Sequence, residues 1–407
     1  IVREAKTYLN GDLSIGGLGG NLFFGVQLGD VALDMEGERI LAIKDVELEY
    51  SIFRIISSGV VLDRISLNQP SIILVREDGS WNFAHIVKPQ RKEADREGPG
   101  RPIALPSIQV TDGTLTVRDA DGTGAYRFPE RITDLDLRGG FAYEPVRFSV
   151  DLEHVSFRAT APTLTLGELS GRIAVRDDNL HFENLVVRTA ESALQVDGVV
   201  EQYLRTPVIR LTTTGNVSLP EIGRVVPAIA DYNLRPSFTI RAEGPTGRLA
   251  MDLDVRTASG TVVGQVTANM QGPSLDLDGD VNVQHLDLAP ILNDPAQRSD
   301  ITGHATFALE IARAPETAPV MDRMRGTFSF RGPSVTAAGY SATSVDLTGR
   351  LVGRRIELDG RANAYGGSAT TKGFIVTPSQ GRALAFDLSG RAEGIDLRNL
   401  PASVGAP

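Results

Sequence analysis

The stretch VRFSVDLE, residues 146 to 153, decides the fold class. It sets Val146, Phe148, Val150 and Leu152 against Arg147, Ser149, Asp151 and Glu153. Successive strand side chains point to opposite faces, so the octet reads as a strand with one apolar and one solvated face. The same beat returns along the chain. GTLTVRD offers Leu115 and Val117, TLTLG offers Leu164 and Leu166, and GRIAVRD offers Ile173 and Val175. ALQVDGVV gives Leu194 and Val196, and RLAMDLDV gives Leu249, Met251 and Leu253. GRLVGRRIEL adds Leu351, Ile356 and Leu358, and ALAFDLSG adds Leu384, Phe386 and Leu388. Asp112-Gly113, Asp121-Gly122 and Asp177-Asp178-Asn179 read as turns between such runs, and Pro70 as a break between two strands. The pattern predicts antiparallel β structure throughout.

Composition agrees. Of 407 residues, 42 are glycine and 6% aromatic, which favours many strands and tight turns packed with aliphatic side chains. The net charge of −10 disfavours nucleic acid, whose phosphates would be repelled over most of the surface. The absence of cysteine excludes disulfides, thiolate metal sites and thiol nucleophiles. No apolar run approaches the roughly 18 residues that span a bilayer. The chain starts at Ile1, and IVREAKTYLN reads as the end of a helix emerging from an upstream piece.

Helical candidates are few: SIFRIISSG (51–59), SWNFAHIVK (80–88), LPEIGRVVPAIA (219–230) and the single turn LAPILND (288–294). The charged, Pro/Gly-rich PQRKEADREGPGRP reads as a linker over 89–102. It divides a first module, 1–88, from a body over 103–407. That body carries a weak repeat, Leu169, Gly171, Arg172 and Ile173 against Leu347, Gly349, Arg350 and Leu351. So few helices leave most apolar strand faces uncovered. Either the sheet folds over as a sandwich or barrel, or it curls into a trough whose lining awaits an apolar ligand.

Chemistry is sparse. His85, His154, His181, His285 and His304 have no spacing suited to a metal pair. GGLGG (16–20) opens no helix, so it fails as a phosphate loop. Asp276, Asp278 and Asp280 alternate with Leu275, Leu277 and Val281, and read as the solvent face of a strand. Trp81, the one tryptophan, reads as packing at a module edge. No catalytic residue, metal or cofactor is expected.

Three phrases carry a family resemblance: Gly25-Val26-Gln27-Leu28, Tyr50-Ser51-Ile52 running to Gly59, and Pro70 through Asp78-Gly79-Ser80-Trp81-Asn82. In these the first 90 residues resemble the N-terminal module of the AsmA-like and TamB group of bacterial envelope proteins. NAYGGSATTKGFI (363–375) is similar to the small, Gly-rich phrase recurring through TamB bodies. The resemblance implies an all-β, elongated, twisted antiparallel sheet curled into a groove, taco-like, with short helices in the first module and at repeat ends. It also implies an inner-membrane anchor upstream, a periplasmic location in a Gram-negative bacterium, and movement of phospholipid toward the outer membrane. The alternating residues above, Leu115 to Leu388, would line the groove and meet phospholipid acyl chains. The alternative is a periplasmic scaffold for outer-membrane protein assembly.

Overall fold

The computed structural model describes residues 9–21, 23–50, 62–77, 79–86, 88, 103–119, 126–144, 147–292, 294–314, 318–337, 339–377, 385–396 and 398, without the side chains of Ala228 and Leu292. Val146, Leu384, the 51–59 candidate helix and the 89–102 linker lie outside these residues. The chain forms two compact units, Ile1–Val199 with Arg224–Pro227, and Val200–Gly223 with Ala228–Pro407.

The first unit is a sheet of β1 (Asp12–Asn21), β2 (Gly25–Met35), β3 (Glu38–Tyr50), β4 (Leu62–Glu77), β5 (Ser80–Trp81), β6 (Ile103–Asp119), β7 (Arg131–Glu144), β8 (Arg147–Thr160), β9 (Leu164–Arg176) and β10 (Asn179–Thr189). β11 (Ala193–Glu201) runs across the boundary. Each strand pairs with its sequence neighbour in antiparallel register, with one exception. β4 and β6 lie parallel, Ile65 opposite Ile108 and Leu74 opposite Val117. A parallel pair needs a connection of about a dozen residues or more. The stretch from β4 to β6, containing the charged segment, supplies that length. The short β5 turns back on the end of β4.

The second unit holds β12 (Val208–Asn216), β13 (Ser237–Pro245), β14 (Leu249–Thr257), β15 (Gly260–Asn269), β16 (Ser274–Leu286), β17 (Ser299–Ala312), β18 (Met324–Ala337), β19 (Tyr340–Val352), β20 (Arg355–Ala364), β21 (Gly367–Val376) and β22 (Ala385–Glu393). All are joined as antiparallel neighbours. Among the described residues β1 pairs only with β2, and β22 only with β21, so the sheet is open and no barrel closes.

Among the described residues the helices are two single turns, Leu219–Ile222 and Ala289–Leu292. Ser218 caps the first by accepting the Glu221 N–H, with Pro220 in its first turn. The predicted 80–88 helix is instead β5 followed by a 3-10 turn, Asn82–His85. Asn82 holds this arrangement. Its side chain accepts the Val75 N–H at 3.1 Å and donates to the Ile73 carbonyl at 2.9 Å, tying the turn to β4. The reading of 219–230 as one helix also yields, to a helical turn and a separate 3-10 turn at Pro227–Ile229. Proline at 227 supplies no N–H to continue the helix.

Two expected breaks are not breaks. Asp112-Gly113 lies inside β6, and Pro70 lies inside β4. Both mark irregular points where the apolar beat changes parity; at Asp112 the register against β7 also shifts, as at a β-bulge. Asp30, Gln69, Asp112, Asp134 and Asn184 all have φ between 49° and 53° at such points. Ladder register makes them neighbours. Gly29 faces Asp45, Asp45 faces Asn68, and Asn68 faces Thr111. Side chains stitch the line together: Asn68 donates to Asp45 at 3.3 Å, Gln69 to Asp112 at 2.9 Å, and the Asp112 N–H to Asp136 at 3.1 Å. Asp and Asn tolerate left-handed backbone better than most residues. A bulge bends its strand and raises the local twist. A row of them running from strand to strand concentrates that bending along one line of the first unit.

The second unit starts without this device, β12 to β16 keeping unbroken register. Within the second unit similar points occur at His285, φ 52°, where β16 meets β17, and at Ser344, φ 52°, in β19.

Candidate functional site

Residues opposite one another in a ladder share a face, so register decides which predicted residues come together. In the first unit Tyr143, Phe148 and Val175 are aligned, as are Phe141, Val150 and Ile173. Leu152 stands between Gly139 and Gly171, Leu164 opposite Ala159, and Leu166 opposite Phe157. Leu115 faces Ile72 and Ile132, and Val117 faces Leu74. In the second unit Ala242, Met251 and Val266 form one row, and Ile240, Leu253 and Gly264 the next. Leu249 faces Ala268. Leu351 joins Gly326 and Ile356, and Leu358 joins Gly349 and Gly373. Phe386 and Leu388 extend these rows onto β22. Leu194 and Val196 are half-buried on β11.

Apart from Leu194 and Val196, each unit therefore gathers its predicted residues on one apolar face. Leu166, Val175, Leu249 and Leu351 are buried, most others are half-buried, and Phe148, Phe386 and Leu388 are exposed. The substantial contacts between described strands are those between ladder neighbours. The face is crowded laterally, as in the cluster of Val31, Ile43 and Val46 with Leu28, Leu48 and Leu67, but keeps partial access to solvent. That is not the dry interior of a two-layer domain.

Sequence reading missed the residues beyond each bulge. β8 carries Phe148, Val150 and Leu152 at even positions, then Val155, Phe157 and Ala159 at odd ones. The signal was present: Glu153-His154, two polar residues in succession, is the extra step. It also missed the aromatic floor of the second unit. Gly279, Phe307, Phe328 and Gly349 form one cross-strand row. The Phe307 ring lies where a side chain on residue 279 would stand, and the Phe328 ring does the same at 349. The rings lie flat over glycine instead of projecting from the face.

The opposite face is ionic. Arg172 meets Asp151, Arg176 meets Glu183 at 2.8 Å, Arg325 meets Glu310 at 2.6 Å, and Arg361 meets Asp346 at 2.8 Å. Such exposed pairs contribute at most about 1 kcal/mol each. Asp278 and Asp280 are exposed on this side, Asp280 2.7 Å from the His304 ring, and half-buried Asp276 accepts from Ser274 and Asn269. No cluster of metal-ligating side chains occurs among the described residues. Charge meets the apolar face at a strand end. There Arg76, opposite Trp81 and Asp119, reaches Asp119 at 3.6 Å and lies 5.8 Å from the indole, which stacks on Phe83.

Four carboxyls of the second unit are held below the usual range. Asp254 is lowered by its hydrogen bond from Arg256, and Asp287 by the Ser299 and Ala289 N–H groups. Asp346 is lowered by Arg361, and Asp396 by Arg398. A carboxyl with a depressed folded pKa adds stability above its unfolded value, about 3.9, and loses it as pH falls through the folded value. Hydrogen exchange in β16 to β19, corrected for intrinsic rates, should therefore stay constant down to about pH 4 and quicken below it. Asp287→Asn should flatten that response near the β16–β17 connection.

No family model, curated protein or solved structure matches this chain.

Proposed function

We propose that the protein is a non-enzymatic conduit for phospholipid acyl chains, which slide along the apolar face while headgroups stay in water. One observation carries this reading: a face in continuous register across the strands of each unit, uncharged between the strand ends, and left half-exposed. A chain of about 16 carbons costs on the order of 13 kcal/mol to hold in water, at roughly 0.8 kcal/mol per methylene. An aliphatic surface removes much of that cost without gripping any single position. Rings laid flat over Gly279 and Gly349 keep the path smooth.

The AsmA-like and TamB wording of the first 90 residues supports a setting in the Gram-negative envelope. There an inner-membrane anchor would precede this chain, and the path would cross the periplasm toward the outer membrane. Native mass spectrometry of the purified chain should find phospholipid, removable by detergent and regained from vesicles. A chain that is lipid-free when purified and takes up none from vesicles overturns the reading.

A second reading, a scaffold for outer-membrane protein assembly, is favoured by β22, which among the described residues pairs only with β21, and where Phe386 is 67% and Leu388 41% exposed. Unpaired edges recruit further strands. Photoreactive residues on the apolar face that capture polypeptide in place of lipid would establish it.

A further inference from the structure

The β1–β2 hairpin joins a stretch without charge to a turn of exposed aromatic side chains. From Leu13 to Gly29 there is no charged side chain, in a chain that is 23% charged. A strand with one partner usually relies on charge to discourage further pairing; β1 pairs only with β2 among the described residues and has no charge between Leu13 and its end at Asn21. At the turn Phe23 is 60% and Phe24 71% exposed, and Leu18 beside them is 70% exposed.

The turn's backbone is nevertheless satisfied from within. Asn21 accepts the Phe23 N–H on its side chain at 2.8 Å and the Phe24 N–H on its carbonyl at 3.0 Å. The Phe24 carbonyl accepts the Tyr50 N–H at 3.2 Å. A tip without charge, and with these backbone groups paired, can leave water at little polar cost.

We propose that this tip seats in the headgroup–acyl boundary of a lipid bilayer and is the point where acyl chains pass between membrane and protein. The second clause rests on the conduit reading. Leu18 faces Leu28, and Ile15 faces Val31, so the tip is continuous with the apolar face. Area argues for lipid over protein. Three such side chains expose roughly 350 Å² of apolar surface, well under the about 800 Å² per partner of a stable protein complex. A bilayer needs no such area, only rings that reach its interface. The net charge of −10 removes electrostatic attraction to anionic lipid as the driving force.

The test is co-sedimentation of the 407-residue chain with vesicles of phosphatidylcholine alone, and of the same lipid mixed with phosphatidylglycerol. Wild type should bind both, with little change as salt rises from about 0.1 M to about 0.5 M. Phe23→Ser combined with Phe24→Ser should lower partitioning at least tenfold. Leu204→Ser, removing a 71% exposed leucine elsewhere, should not. Binding that needs phosphatidylglycerol and fades with salt overturns the proposal. So does an unaltered double variant, or one whose only change is loss of self-association in light scattering.

Uptake of a dispersed fluorescent fatty acid separates the two readings. Uptake by a wild type that ignores vesicles leaves the conduit and removes the tip. Vesicle binding through the tip without uptake leaves the anchor and removes the conduit.

Discussion

Val150→Arg should leave the protein folded and stop lipid at that position. Val150 is half-buried, between Phe141 and Ile173 on the apolar face of the first unit. In a closed core an unpaired arginine would cost several kcal/mol and unfold the unit. On an open face the long side chain can lie along the surface and keep its charge in water, for less than about 2 kcal/mol. The charge then stands where methylenes must pass. A photoreactive residue replacing Ile173, the register partner of Val150, should lose its lipid adduct at least about tenfold when residue 150 is arginine. Thr239→Arg, on the exposed ionic face opposite Asp254, should leave the adduct unchanged. Asp151, next in sequence, is no neutral control, because it holds Arg172. An unfolded Val150→Arg protein would mean a closed core, and an undiminished adduct would remove the conduit at this position.

A large loss of stability is expected at Gly171, on the bulge line of β9. Its φ is +124°, and an added Cβ would stand 2.5 Å from the Asn184 carbonyl oxygen and 2.7 Å from the Leu185 Cα. Both are backbone atoms on the neighbouring strand, so neither can swing aside. Gly171→Val combines dihedral strain with that collision and should cost roughly 3 kcal/mol or more. Gly37, φ +85°, has nothing within 4 Å, so Gly37→Ala there carries strain alone, about 1 kcal/mol. Trp81, the sole tryptophan, belongs to this unit and reports its urea unfolding. Similar midpoints for the two variants would contradict the argument.

The contrast between these sites shows what was legible in the sequence. The apolar beat of VRFSVDLE and RLAMDLDV placed Val150 and Leu253 on the correct face without any structure, because period two is a local property. Bulges are also local, yet they resemble punctuation. Asp112-Gly113 and Pro70 read as turn residues because aspartate, glycine and proline are common in turns, and only pairing with a neighbouring strand shows that the chain runs on. The parallel β4–β6 contact was hidden for another reason, since periodicity says nothing of strand direction. The flat aromatic floor depends on Gly279 meeting Phe307 across a ladder, which no single strand records. The apolar face could be read; the bulges and the floor could not.

Contact between described strands is almost wholly between ladder neighbours, and apart from β4 and β6 those neighbours follow one another in sequence. Such a sheet has the mechanics of a zipper. Tension applied to the C-terminal side of β22 would open its pairing with β21 one residue pair at a time, and the next strand would become the new edge. Extension under constant force should then advance in small steps of similar size, one strand after another, without a single large rupture. The parallel pair is the place to look for an interruption. Peeling β6 from β4 in the first unit releases a connection absent from the other turns, so one step there should be longer than the rest.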